Sequence, residues 1–84
     1  MSPFWQEGLL VRAQEQEAQP GQFFWQWRWH PISDVLYRWR VHTHWWTDHE
    51  VWRDYWEVTT ETGLLCTLYY DRLLEAWYLE RVYE

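Results

Sequence analysis

From Phe23 to Trp46 the chain alternates. Phe23, Trp25, Trp27 and Trp29 hold one set of positions, and Phe24, Gln26, Arg28 and His30 the other. After Pro31-Ile32-Ser33-Asp34 the alternation resumes: Val35, Tyr37, Trp39 and Val41 stand against Leu36, Arg38, Arg40, His42 and His44. A period of two marks half-buried strands, because successive Cβ atoms leave opposite faces of the pleat. The stretch predicts a hairpin, with strands over residues 22–30 and 35–42, that has an aromatic face and a basic face.

The same reading extends in both directions. Leu9, Val11 and Ala13 alternate with Leu10, Arg12 and Gln14, which predicts a strand over residues 9–16. Before it, Pro3, Phe4 and Trp5 form a lead-in suited to folding back on a sheet edge. Pro20-Gly21 carries turn chemistry, and the polar run ahead of it suits a short helical turn over residues 15–18. Pro31 stops the aromatic strand or confines it to an edge. A strand near Trp52–Thr60 leads to Glu61-Thr62-Gly63, a hairpin turn with glycine at the positive-φ position. Strands over residues 64–70 and 77–83 follow, separated by a loop over residues 71–75. Turn signals every eight to twelve residues, roughly, point to an all-β fold. The expectation is a small antiparallel meander of five to six strands, closed or strongly curved into a barrel-like form.

Composition narrows the function classes. A chain of 84 residues makes one domain, residues 1–21 forming an N-terminal arm and first strand and residues 22–84 the main body. Folding at this size buries roughly two-thirds of the unfolded surface, enough for one core but not for a deep substrate cavity beside it. The 19 aromatic residues would dominate that core. Adjacent pairs such as Phe23-Phe24, Trp45-Trp46, Tyr69-Tyr70 and Trp77-Tyr78 place one ring on each face of an extended chain, so the surplus must be covered or serve as an interaction surface. The formal charge is −6, and all 7 basic residues are arginine. Net charge does not mark a nucleic-acid binder, so any such activity would rest on a local patch. The single Cys66 excludes an internal disulfide, and no basic region precedes an apolar run at the start. These features lead to the expectation of a cytoplasmic protein without membrane association.

Residues 23–84 also carry an ordered skeleton: Phe23-x-Trp25, Val35-Leu36 ahead of Trp39, Trp45-Trp46, Arg53-Asp54-Tyr55-Trp56-Glu57-Val58, Tyr69-Tyr70-Asp71-Arg72 and the ending from Trp77. This skeleton resembles a small, functionally uncharacterised, tryptophan-rich bacterial domain family. Its members occur alone or in association with error-prone, Y-family-type DNA polymerases. The chain departs from the family pattern at Trp27, where the family has glycine. The resemblance implies a DNA-repair context and no established activity.

Three groups of residues carry candidate chemistry. Arg28, Arg38 and Arg40 share the basic face of the predicted hairpin, and arginine beside aromatic rings suits single-stranded nucleic acid. Their structural alternative is pairing with Glu15, Glu17, Glu57 or Glu80 across strands. Trp45 and Trp46 lie in the loop over residues 43–51, where a tryptophan pair can anchor a partner. His42 and His44, with Asp48 and His49 near by, make a weak metal-ligand pattern, better read as strand-end histidines. Catalytic patterns are lacking: the glycines are isolated, lysine is absent, and Cys66 among leucines reads as a buried, inert thiol. No enzyme activity, catalytic residue, metal or cofactor is implied. The expected function is a non-enzymatic interaction module binding a DNA polymerase or accessory protein through Trp45, Trp46 and the arginines. Single-stranded nucleic-acid binding and a structural homodimer are the alternatives.

Overall fold

The computed structural model describes residues 3–83, and all of its regular structure is β. Six strands follow in order: β1 (Phe4–Gln16), β2 (Gln19–Trp25), β3 (Arg28–Thr43), β4 (Val51–Thr60), β5 (Leu65–Asp71) and β6 (Ala76–Tyr83). Each pairs antiparallel with the next, and β1 returns to β6, so the meander closes into a ring. The expected fold class is thus the observed one. No helix among the described residues is long and apolar enough to cross a membrane.

Alternation fills the ring. Val58 and Trp56 of β4, Cys66 and Leu68 of β5, and Trp77, Leu79 and Val82 of β6 point inward and meet Phe23 and Trp25 of β2. Trp56 and Trp77 pack with ring centroids 5.0 Å apart. The lead-in does not fold back on a sheet edge: Phe4 and Trp5 open β1, which pairs with β6, Trp5 sets its ring edge-on to Trp25, and Val82 N–H donates to the carbonyl of Pro3.

The turns differ from the sequence expectation. Residues 15–18 form no helical turn; Gln16 pairs with Gln19 across a two-residue link, Glu17-Ala18, with φ of 54° and 66°. Pro20-Gly21 lies inside β2 rather than at the bend. The expected strand over residues 22–30 is divided by a second such link, Gln26-Trp27, with φ of 50° and 66°. Two residues at positive φ give a hairpin the twist its strands need, and that requirement prevails here over the preference for Asn and Gly. Trp27 is therefore 92% exposed at a bend instead of sharing a face with Phe23 and Trp25.

Reversal at this bend also turns His30 to the same side as Phe23 and Trp25, into the core. It stands opposite Phe23, only 4% exposed, and stacks on that ring at 5.3 Å. Its Nε2–H donates to the Trp25 carbonyl (3.0 Å), while Nδ1 lies 2.5 Å from Thr62 Oγ1. Trp29 turns outward beside Phe24.

Pro31 does not stop β3. It is the last partner of β2, and from Ile32 onward β3 pairs with β4. A residue without N–H fits where one ladder gives way to another. Beyond it the register slips between Ile32 and Asp34 and again between Val35 and Tyr37. Each bulge reverses which alternate residues face inward. Val35 faces Val58 in the core, but Tyr37, Trp39 and Val41 face outward, correcting the single face predicted for them.

Outside the ring, Trp39, Tyr55, Tyr69 and Tyr78 are register partners on four successive strands. Their rings form a row with centroid spacings of 5.1 Å at each step. Tyr69 is buried beneath the irregular part of β1, where its hydroxyl donates to the Glu7 carbonyl at 2.9 Å.

Candidate functional site

The links β1–β2, β3–β4 and β5–β6 lie at one end of the ring, called the upper end below; Gln26-Trp27 and the β4–β5 turn lie at the lower end. At the upper end β3 and β4 run on together as a ribbon, paired through Thr43 and Val51. The inner face of this ribbon carries Arg38 opposite Trp56, Arg40 opposite Asp54, and His42 opposite Trp52. A concavity of about 540 Å³ opens there, bounded by Arg38, Trp39, Arg40, Asp54, Trp56 and Arg72, with Ala18 on its far side.

Its electrostatics run against the net charge of the chain. Three guanidinium groups face one carboxylate, a local excess of two positive charges (three minus one). Asp54 holds Arg40 through Nε at 2.6 Å and Arg72 through Nη1 at 2.9 Å. Arg38 makes no ion pair within 4 Å among the described residues. Burial pushes the Asp54 carboxyl up, but its hydrogen bonds and charge contacts with Arg40 and Arg72 outweigh this and hold it below its ordinary value near 3.8. A carboxyl depressed by folding contributes stability above its unfolded pKa, and that contribution is lost as pH falls through the folded value. Asp54→Asn is therefore expected to lower the thermal midpoint at neutral pH and to flatten its fall below about pH 4. Parallel midpoint-against-pH curves for the two proteins would contradict this.

The β3–β4 loop stands above the concavity. Thr47 shapes it, its N–H and hydroxyl both donating to the His44 carbonyl at 3.0 Å, while its hydroxyl oxygen accepts from His49 N–H. This fold of the loop leaves Trp45 and Trp46 63% and 71% exposed, edge to face at 5.0 Å. Below them His42 stacks on Trp52 (4.6 Å) and pairs with Glu50 (2.8 Å); Arg72 also lies over the Trp52 ring, at 4.8 Å. Asp71 accepts from Leu73 N–H and Leu74 N–H, shaping the β5–β6 turn that leaves both leucines exposed.

Four of the five residues singled out from sequence, Arg38, Arg40, Trp45 and Trp46, thus gather at the upper end. Arg28 does not join them: it pairs in register with Trp25 beside the lower turn. Ten residues of strand separate it from Arg38, about 30 Å at roughly 3.3 Å per residue. Asp54, Arg72 and Trp52 were missed by sequence reasoning; the register pairing Arg53 with Asp71, which brings the β5–β6 turn alongside Trp52, supplies the signal.

Two buried groups elsewhere offer no chemistry of their own. Burial pushes the Cys66 thiol up to about 12, so the reactive thiolate is scarce at neutral pH. Burial likewise pushes the Tyr69 hydroxyl up to about 12. Among the described residues no three of the His, Cys, Asp and Glu side chains converge as a metal site. Comparison of the chain with protein-family models, with curated proteins and with solved structures found no match.

Proposed function

We propose that this protein is a non-enzymatic interaction module whose upper end binds a protein partner, with Trp45 and Trp46 as its anchors and Arg38 and Arg40 beside them. The observation that carries this reading is the tryptophan pair itself. Two large rings project from a hydrogen-bonded loop, mostly exposed and remote from the core. Tryptophan and arginine are the side chains that most often dominate binding energy at protein interfaces. The resemblance of residues 23–84 to a family associated with Y-family-type DNA polymerases supplies the partner: such a polymerase or its accessory protein, in a bacterial cytoplasm.

Trp45→Ala and Trp46→Ala should each weaken binding to that partner by about 30-fold, corresponding to a hot-spot loss of about 2 kcal/mol. Because neither ring belongs to the core, the thermal midpoint should stay within about 2 °C of the parent, as for surface substitutions. Unchanged affinity in both variants would remove the proposal.

A second reading is favoured by the concavity. Arg38, Arg40 and Arg72 supply phosphate partners, while Trp45 and Trp46 in the loop above supply exposed rings. Single-stranded nucleic acid is held by that combination, with an affinity that falls steeply as salt rises. A titration of intrinsic tryptophan fluorescence with single-stranded DNA tests it. Saturable quenching that weakens with salt supports it, and an unchanged signal rejects it.

A further inference from the structure

The ring is closed along only part of its length. β2 and β3 share register pairs from Gln22–Pro31 to Trp25–Arg28 and none above Pro31. Over residues 36–43, β3 therefore pairs with β4 on one side and with no strand on the other among the described residues. Alternate backbone N–H and C=O groups along that edge lack strand partners. Clefts separate it from the β1–β2 hairpin: one of about 320 Å³ between Glu17–Gly21 and Ile32–Val35, and above it the concavity between Ala18 and Arg38–Arg40.

The two sides of this seam are unequal. β2 presents Pro20 and Gly21, and proline blunts an edge by removing a donor. β3 presents Leu36-Tyr37-Arg38-Trp39-Arg40-Val41-His42-Thr43, without proline or glycine and rich in β-forming residues. Such an edge is a template for another strand. Its inner face specifies the charge of that strand. Arg38 and Arg40 stand two residues apart on one face, and Asp54 already serves Arg40 and Arg72 together. The site is rich in donors and short of acceptors. A second copy is a poor occupant, because antiparallel pairing of two β3 edges about Trp39 would set Arg38 against Arg40 of the other copy, and like charges directly opposite destabilise a sheet.

We propose that the free edge of β3 from Leu36 to Thr43 takes up an extended acidic peptide as an added strand, its carboxylates meeting Arg38 and Arg40. This deepens the reading of the upper end as a protein-binding surface and rests on it: the Trp45–Trp46 loop is the tip of the same ribbon.

The test is amide hydrogen exchange on the full chain. The probe is an end-blocked peptide of alternating glutamate and valine, as long as the free edge. Slowing of exchange by at least ~tenfold at alternate amides between Leu36 and Thr43 is expected. Only one edge of the probe faces β3. Of two probes N-methylated at every valine or at every glutamate, one should therefore bind and the other fail. Arg38→Glu, at an exposed residue without an ion pair, should fold normally, bind the glutamate probe at least ~tenfold more weakly, and favour a lysine-valine probe.

Equal binding of both N-methylated probes, or no binding, would overturn strand addition. So would protection of the edge by self-association without probe, or protection by single-stranded DNA and not by peptide. Protection confined to Trp45 and Trp46 would overturn it as well, while leaving the upper end as the interaction surface.

Discussion

Trp56→Ala is expected to cost about 3–5 kcal/mol, the range for losing a large buried aromatic. A domain of this length has about 4–13 kcal/mol of stability in total, so the variant should be close to unfolding at ambient temperature. Trp56 is 5% exposed and belongs both to the core and to the wall of the upper concavity. Removing its ring would join that concavity to the space beside Trp77 and admit water to the core. Trp56→Phe should behave differently. The Trp56 indole N–H is buried without a hydrogen-bond partner among the described residues, so phenylalanine loses some packing but removes an unsatisfied donor. Its cost should stay below about 1.5 kcal/mol. Urea denaturation of the two variants checks this, and an equally large loss in both would contradict the account of the indole.

Gly8→Val should cost about 3 kcal/mol or more. Gly8 has φ of +78°, and a Cβ placed there would meet the Tyr69 hydroxyl and ring. Valine at positive φ is strained by about 1–3 kcal/mol, and overpacking adds a similar amount. The close approach has a structural purpose. The irregular register of β1 between Phe4 and Leu9 lets the chain arch over Tyr69, and the Glu7 carbonyl accepts its hydroxyl. Arg53 lies on the same ring at 4.6 Å. If the clash is with the hydroxyl, Gly8→Ala should cost less in a Tyr69→Phe background than in the parent. A double-mutant cycle by denaturation measures that difference, and simple additivity would refute the contact.

Both substitutions concern features only half legible in the sequence. The period of two carried the strands, their number and the closed meander, because inward positions of β4 and β5 alternate without interruption, and β6 departs from this only at one register shift between Leu79 and Val82. Cys66 among leucines was likewise legible as buried. Local chemistry failed where tertiary demands overrode it. Glu17-Ala18 and Gln26-Trp27 bear no mark of left-handed backbone, yet ring closure requires tight bends at those places. Pro20-Gly21 has the composition of a turn but lies in β2. The bulges around Ser33 and Leu36 have no glycine to announce them, and each exchanges the faces of everything that follows. The two bulges together cancel, so Arg28 and His30 share the inward face of Arg38 and Arg40; what the pattern could not give was position along the strand, which buries His30 against Phe23 and leaves Arg28 at the far end. Trp45 and Trp46 were legible as a loop pair; their neighbours Asp54 and Arg72 became visible only with the register.

The most direct test of the upper end as the binding surface is a matched affinity measurement. A purified Y-family-type polymerase is titrated against the parent domain, the Trp45→Ala/Trp46→Ala double variant and Trp27→Ala, the last removing a still more exposed ring from the lower end. The expected result is saturable binding to the parent and to Trp27→Ala, and a loss of at least ~30-fold in the double variant, with its thermal midpoint unchanged. Full affinity in the double variant, or loss on Trp27→Ala instead, would contradict the assignment of function to the upper end.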